Sequence, residues 1–252
     1  MSFVGAMIRK YLFPQVLLEG TIKSRPNRFI MNVDIGGHIV KCHCPVTGRI
    51  GDLVFDQIPC LLSESDSADR KTRFTVEAIS LDPIDKKDKS WIGINQTKAN
   101  DYVNHFIRAG ALSAMLRGVR EVAREVRQGS SRIDFLVDRK VFLEVKTPLF
   151  DLPCEGHPSC RARHGPLLSF DRMIKHFGEV SRTIAKGRRG IMLLCYLYDA
   201  KPFQVPRPEP RAARIQKAAR AADSKGLEHW QLNLRIDENG IEFVRCYKLE
   251  LF

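Results

Sequence analysis

The first third of the chain alternates short apolar runs with turn signals, a pattern typical of a small β-domain. The turns RPN and GG separate runs such as VLLEGTIKS, RFIMNVDI, HIVKCHC, PCLLSES and RFTVEAISL. Five short strands within about 80 residues predict a small barrel or sandwich. A five-stranded OB-like barrel over residues 1–82, which would bind nucleic acid, is one solution. A β-domain that only supports its neighbour is the alternative.

The pattern changes after a polar, charged stretch that contains a proline, and residues 83–89 are predicted to be a linker. TKANDYVNHFIRAG then has the apolar spacing of a helix, and VREVAREV, SRIDFLV and VFLEVKTP predict three strands. A helix, a buried strand, an Ala-rich helix and two closing strands around ENG follow. This order predicts an α/β domain with a mixed sheet over residues 90–252.

Charge points to the class of partner. The 252 residues are 44% apolar, and 41 Lys and Arg stand against 29 Asp and Glu, a net charge of +12. Such an excess favours a polyanion, most often nucleic acid, over a merely basic surface. Without an export signal or an apolar run near the ~20 residues that span a bilayer, we expect a cytoplasmic protein without a membrane partner. Seven cysteines, an odd number, fit mostly free thiols.

Two acids and a lysine lie within a predicted hairpin, SRIDFLVDRKVFLEVK. Glu144 and Lys146 are two residues apart and share a face of their strand, and strand pairing can place Asp134 beside Glu144. Two adjacent carboxylates repel each other unless a cation lies between them. Mg²⁺ or Mn²⁺ is a suitable cation because hard ions take carboxylate oxygens, and the backbone carbonyl of Val145 is a further candidate ligand.

These residue types fit phosphodiester hydrolysis. A metal held by Asp134 and Glu144 would lower the pKa of a bound water molecule and neutralise charge on the phosphate. Lys146 would orient that water and oppose the charge that develops on the phosphate. The alternative is a salt-bridge cluster on a solvated sheet face, because Glu-x-Lys alone is a weak signal.

A Cys/His insert offers a second candidate metal site. Cys154, His157, Cys160 and His164 form C-x2-H-x2-C-x3-H. Thiolates and imidazoles in a tetrahedral set suit Zn²⁺, although this spacing is not a common structural-zinc pattern. A polar loop with two free thiols is the alternative.

The Ala-rich helix predicted near residue 215 carries basic residues at three-residue intervals. Arg211, Arg214 and Lys217 would lie on nearby faces of it. They would contact a phosphate backbone without sequence preference, or they would belong to a solvated helix of high propensity.

Several separated motifs follow one another along the chain: HCPVTGRIGDL, SESDSADRKTRFTVE, WIGINQTKAN, REVRQGSSRIDFLV, VFLEVK and RMIKHFGEV. Together they resemble the sugar fermentation stimulation protein (SfsA) family. The resemblance implies an N-terminal OB-like domain, a C-terminal domain of the PD-(D/E)XK nuclease fold, and DNA binding. It also implies a nuclease activity, which rests on the fold.

The resemblance also implies roles for single residues. Asp134, Glu144 and Lys146 fall on the acid, acid and lysine of the nuclease signature. A second set would hold metal or contact phosphate: Glu125 as a further metal-binding acid, and Arg132, Arg172, Lys175 and His176 as nucleic-acid contacts.

Two departures from the family pattern bear on turnover. His105 stands where the family usually has an acid, and Val46 where it usually has Asn. Three functions therefore stay open: a metal-dependent nuclease acting on DNA, a non-catalytic DNA-binding regulator that keeps the fold, and an RNA-cleaving enzyme. A homodimer also stays open.

Overall fold

The computed structural model describes most of the chain. The described residues are 9–46, 48–65, 67, 69–128, 131–149, 152–154, 156–160, 188–204, 217, 220–221 and 223–251.

The described residues form thirteen strands in two sheets, and a helix, α1 (Ala99–Arg108), follows the seventh strand through a 3-10 turn (Gln96–Lys98). In chain order the strands are β1 (Lys10–Leu12), β2 (Leu18–Asn27), β3 (Ile30–Ile35), β4 (His38–His43), β5 (Ile58–Glu64), β6 (Phe74–Ser80), β7 (Trp91–Gly93), β8 (Val122–Gln128), β9 (Ser131–Val137), β10 (Val141–Lys146), β11 (Arg189–Tyr196), β12 (Leu227–Ile236) and β13 (Gly240–Leu249).

The first sheet is the predicted OB-like barrel. Its strand order is β4-β3-β2-β5-β6-β7, and a parallel pairing of His43 with Thr75 joins β4 to β6 and closes it. The five predicted strand runs are confirmed as β2 to β6. Alternate residues such as Ile22, Met31 and Val33 are fully buried in the barrel core, which is what a strand with one face inward requires.

The second, larger sheet is mixed, as predicted. Its order is β1-β13-β12-β11-β10-β9-β8; β11 runs parallel to β10 and β12, and the other pairs are antiparallel. The helix α1 packs on one face because Tyr102, Val103, Phe106 and Ile107 recur at helical spacing and are buried there. The large sheet thus joins the acid-bearing hairpin β9–β10 to a hydrophobic core.

The predicted domain limits differ from the structure at both ends. Strand β1 pairs with β13 of the large sheet, where a Cβ on Gly240 would meet the carbonyl oxygen of Tyr11 at 2.1 Å. Strand β7 pairs with β6 of the barrel sheet, so the predicted linker at residues 83–89 is a loop between two strands of one sheet. Local composition predicts a loop correctly. Which sheet a neighbouring strand joins depends on the strand with which it pairs.

Some predicted elements lie outside the described residues. These are the helix after residue 166 and most of the Ala-rich helix, of which positions 217, 220, 221 and 223 are helical. Among the described residues, no helix is both long enough and apolar enough to cross a membrane.

Candidate active site

The two predicted acids meet at the open end of the β9–β10 hairpin. The antiparallel pairing runs to Leu143↔Phe135, and one further step of this register places Glu144 opposite Asp134. At that step the Oδ2 atom of Asp134 accepts the backbone N–H of Val145 at 2.8 Å. The Asp134 side chain is thereby fixed against the strand that carries Glu144.

The start of α1 holds the same carboxylate from its other oxygen. The Nδ2 atom of Asn100 donates to Oδ1 of Asp134 at 2.9 Å. Four residues earlier, Nε2 of Gln96 donates to the carbonyl oxygen of Thr147, directly after β10, at 2.5 Å. The helix start is therefore attached to β9 through Asn100, and the 3-10 turn before it is attached to the end of β10 through Gln96.

Glu144 and Lys146 form a close ion pair on one face of β10. The Nζ atom of Lys146 lies 2.5 Å from Oε1 of Glu144. The Glu144 side chain is only 6% exposed, whereas that of Lys146 is 25% exposed. The ammonium group is thus positioned between a buried carboxylate and the solvent, where a substrate would approach.

The electrostatics of the pair favour a cation. Burial raises the pKa of Asp134, and the negative charge of Glu144 raises it further. The N–H of Val145, the amide of Asn100 and the charge of Lys146 oppose this shift without cancelling it. Asp134 therefore holds a proton more readily than a free carboxyl does, and a divalent ion in the place of that proton would relieve the repulsion.

The two carboxylates fit Mg²⁺ or Mn²⁺ better than a metal ion whose ligands must all come from the protein. The described residues hold no cluster of three or more His, Cys, Asp and Glu side chains suited to a metal. Mg²⁺ is commonly held by one or two carboxylates and completes its shell with water and substrate phosphate. Asp134 and Glu144 meet this requirement, and the carbonyl of Val145 stays a predicted additional ligand.

Glu125, the expected third acid, is not brought into this set. It lies on β8 with φ at +55°, in the left-handed region, which departs from regular strand geometry. Its exposed carboxylate binds Arg132, with Nε and Oε2 2.6 Å apart. Glu125 therefore holds Arg132, the predicted phosphate contact, through an ion pair, and its role as a metal ligand stays a prediction.

The two departures from the family pattern, His105 and Val46, each have structural contacts of their own. The ring of His105 lies 5.3 Å from that of Tyr11 on β1, near the opposite edge of the large sheet from β9. Val46 is buried, and its carbonyl accepts a hydrogen bond from Nη2 of Arg25 at 2.6 Å. His105 therefore serves an aromatic cluster.

Most predicted phosphate contacts fall outside the described residues. Lys217 is exposed on a helical position. The residues outside the description are Arg172, Lys175, His176, Arg211 and Arg214.

The Cys/His insert differs from the zinc prediction. Cys154 and Cys160 are joined in a disulfide, and a sulfur in a disulfide is not the thiolate that Zn²⁺ binds. Nδ1 of His157 accepts the N–H of Ser159 at 3.1 Å, and His164 lies outside the described residues. The expectation of free thiols here is wrong, whereas Cys42, Cys44, Cys60, Cys195 and Cys246 are free, as predicted.

Sequence reasoning missed the polar residues that attach the helix start to both sheets. Besides Gln96 and Asn100, these include Asn95, whose Nδ2 donates to Oε2 of the buried Glu77 in the barrel at 2.8 Å. Ser63 donates to the other oxygen of Glu77 at 2.6 Å. The signal that could have revealed them is the polar run NQTKAN between an apolar strand and an apolar helix face.

A closed OB-like barrel followed by a mixed-sheet domain, with an acid pair and a lysine on adjacent strands, defines a two-domain class of protein. Sequence profiles identify its members more narrowly. The profile described as the SfsA N-terminal OB domain matches residues 24–94, and that described as the sugar fermentation stimulation protein RE domain matches residues 97–240. The chain belongs to the sugar fermentation stimulation protein family.

Individual relatives agree with this. The sugar fermentation stimulation protein homolog of Teredinibacter turnerae is 32% identical over 223 residues, covering 86% of this chain and 90% of the relative. That of Geotalea uraniireducens is 31% identical over 238 residues, covering 92% and 96%. The structure of Pyrococcus furiosus SfsA in complex with Ca²⁺ matches with a TM-score of 0.72 at 20% identity, over 97% of this chain and 99% of that one, and supports the fold.

Proposed function

We propose that this protein is a divalent-metal-dependent nuclease that hydrolyses phosphodiester bonds in nucleic acid, DNA in preference to RNA, with a PD-(D/E)XK-like second domain. One observation carries the proposal: Asp134 and Glu144 meet at the end of a hairpin, with the ammonium group of Lys146 against Glu144. A purely structural ion pair would not need the second acid.

Two findings support a divalent ion at this place. The raised pKa of Asp134 reflects burial beside a second carboxylate, a condition that a bound cation would relieve. Pyrococcus furiosus SfsA, which shares the fold, has been solved in complex with Ca²⁺. Ca²⁺ and Mg²⁺ are both hard ions that prefer oxygen ligands, so one acid pair serves either ion.

Each residue has a task in the proposed reaction. A bound metal would supply a water molecule of lowered pKa and neutralise charge on the phosphate. Asp134 and Glu144 would hold it, and Val145 and Asn100 keep the Asp134 carboxylate in position through the two hydrogen bonds described above. Lys146 would orient the attacking water and stabilise negative charge on the phosphate.

The charge distribution supports a nucleic-acid substrate. Residues 95–252 contain 28 Lys and Arg against 18 Asp and Glu, whereas residues 1–94 contain 13 against 11. The excess of positive charge thus lies in the domain that carries the acid pair. Arg127 on β8 and Arg132 on β9 lie opposite each other in the strand pairing, and both are exposed. Arg132 is two residues before Asp134 on the same strand. Both arginines are suited to phosphate contacts beside the metal site.

The decisive experiment measures cleavage of end-labelled single- and double-stranded DNA and RNA with Mg²⁺, Mn²⁺ or EDTA. We expect cutting that requires metal and falls by at least about 100-fold in Lys146→Ala, while binding measured in the same tubes persists. Lys248→Ala, which removes an exposed lysine from β13 of the same sheet, is the matched control. Cutting that persists in EDTA or in Lys146→Ala would contradict the proposal.

A non-catalytic DNA-binding regulator is the second candidate. It is favoured by the absence of a third acid beside Asp134 and Glu144 among the described residues. Binding without cutting under every metal would establish it in place of the nuclease.

A further inference from the structure

An exposed phenylalanine stands at the tip of the barrel. Phe29 is 44% exposed, in the turn between β2 and β3. The Oδ1 atom of Asn27 accepts the N–H groups of Phe29 and Ile30 at 2.8 and 3.1 Å, so the turn is held in one conformation. The guanidinium of Arg28 lies 4.7 Å from the centroid of the Phe29 ring. A rigid turn therefore presents an aromatic ring beside a cation.

Strand pairing brings further polar and basic groups to the same end of the barrel. The carbonyl of Phe29 accepts the N–H of Cys44 at 2.8 Å, and the preceding residue, His43, pairs with Thr75 at the start of β6. Arg73 is exposed two residues before Thr75. We call the surface made by Arg28, Phe29, His43, Arg70 and Arg73 the barrel-tip patch.

The charge on the barrel-tip patch is carried by arginine. Burial and the nearby charge of Arg70 lower the pKa of His43, which disfavours its charged form. Arg73 is ion-paired with Glu64, its Nε 2.6 Å from Oε1, while its side chain stays 69% exposed. Arginine groups around an exposed aromatic ring combine the two features that bind an unpaired nucleotide strand, namely phosphate attraction and base stacking.

The loop that follows β4 connects the barrel-tip patch to the active strand. Nη2 of Arg25 donates to the carbonyls of Val46 and Gly48, at 2.6 and 3.1 Å. The N–H of Gly51 donates at 2.6 Å to the carbonyl of Leu149, three residues after Lys146. This loop therefore contacts both β2, through Arg25, and the segment that follows Lys146.

We propose that the barrel-tip patch binds single-stranded nucleic acid, with one base stacked on Phe29 and the adjacent phosphates on Arg28 and Arg73. Only an unpaired base can present its face to a ring at a turn, because bases within a duplex are covered on both faces by their neighbours. The patch therefore selects the strand state of the ligand. The inference deepens the proposed function, but binding at the tip does not depend on cleavage.

Fluorescence anisotropy with labelled single-stranded DNA, single-stranded RNA and duplex DNA of equal length tests this, in EDTA so that no cleavage occurs. We expect Phe29→Ala to weaken single-strand binding about 5- to 150-fold, the range for loss of one stacked base, and to change duplex binding less than about twofold. Phe29→Trp should restore single-strand affinity. Comparing the affinities for single-stranded DNA and single-stranded RNA shows whether the patch prefers deoxyribose or ribose.

Ile39→Ala is the matched control, because Ile39 is an exposed apolar residue of the same barrel, 60% exposed on β4. It should leave every affinity unchanged. Equal loss of single-strand and duplex binding in Phe29→Ala, or no loss of either, would overturn the inference. If the wild type cuts nothing but Phe29→Ala still loses single-strand binding, the nuclease proposal fails and the barrel-tip patch stands.

Discussion

The barrel and the large sheet each bury a glutamate, and the two sites are built differently. Glu77 in the barrel is 5% exposed, and neutral donors meet its two oxygens, Ser63 on one and Asn95 on the other. Glu144 in the large sheet is 4% exposed, and it faces a second carboxylate, Asp134, with Lys146 as its cationic partner.

The difference separates a carboxylate stabilised by its hydrogen bonds from one that we propose binds a metal. A buried carboxylate that receives well-aligned hydrogen bonds is stable without a ligand. Two adjacent carboxylates that are partly or fully removed from water repel each other, and a proton, a metal or a cationic side chain must compensate for that repulsion. Burial of an acid by itself therefore does not indicate function. The groups that face the buried acid are the more informative feature.

The largest expected effect concerns metal affinity. If Glu144 is a metal ligand as proposed, Glu144→Gln should lower the affinity for Mn²⁺ or Ca²⁺ by more than about 100-fold, because it would alter the ligand itself and not merely its support. Glu77→Gln, the matched change in the barrel, should alter it less than about twofold. Isothermal titration calorimetry measures the metal affinity of both variants. Equal losses of affinity in the two variants would contradict the proposed difference between the sites.

The second effect is on stability, and here the larger loss is expected for the barrel glutamate, Glu77. Glu77→Ala should lower the free energy of unfolding by about 2 kcal/mol, because it leaves the buried donors of Ser63 and Asn95 unsatisfied. Denaturant unfolding measures it. Glu64→Ala, which removes a more exposed acid from an ion pair on the neighbouring strand β5, should cost less than about 1 kcal/mol. A Glu77→Ala variant as stable as the wild type would contradict a structural role.

The third effect tests the support of Asp134. Asn100→Ala should weaken metal binding about tenfold, as loss of a residue that orients a ligand does. Because the amide of Asn100 opposes the rise in the pKa of Asp134, the loss should be greater at acidic pH. Asn104→Ala, one turn further along α1, should have no effect. A pH-independent loss would point to general damage to the helix instead.

The smallest effect is a pH dependence of the metal-free protein. Since the pKa of Asp134 is raised in the folded state, folding retains a proton that the unfolded chain releases. The stability this proton contributes is present at acidic pH and is lost as the pH rises from the ordinary carboxyl pKa through the raised value. Other shifted carboxyls, such as those of Asp82 and Glu228, have lowered pKa values and act in the opposite direction.

The contribution of Asp134 is therefore read as the difference between the wild type and Asp134→Asn. In EDTA, unfolding free energies should diverge across this pH range, with a slope of at most about 1.4 kcal/mol per pH unit. If the unfolding free energies of the two proteins changed in parallel with pH, the pKa of Asp134 would not be raised in the folded state. Saturating Mn²⁺ should remove the part of the wild-type slope that Asp134 contributes, because the bound ion would replace its proton.

Much of the fold was predictable because its signals are local. Alternation of apolar and polar residues marked β2 to β6, and helical spacing marked α1, since each element buries one face. The acid pair was predictable because Asp134 and Glu144 lie ten residues apart in one hairpin, where register follows from a short turn. Asn100 was not, because its contact with Asp134 joins segments 34 residues apart.

Sequence alone therefore determined the two-domain plan, the strands and the hairpin that carries Asp134, Glu144 and Lys146, because these depend on neighbours along the chain. Tertiary structure decided that β1 extends the second sheet, that Glu125 binds Arg132, and that Cys154 pairs with Cys160. It also decided that Asn95, Gln96 and Asn100 join the barrel to the acid pair. The contacts of β1 and of Asn95, Gln96 and Asn100 depend on which surfaces meet after the sheets have formed, and no local pattern encodes that. The two short-range pairs depend instead on the conformation of the hairpin and of the loop that carry them.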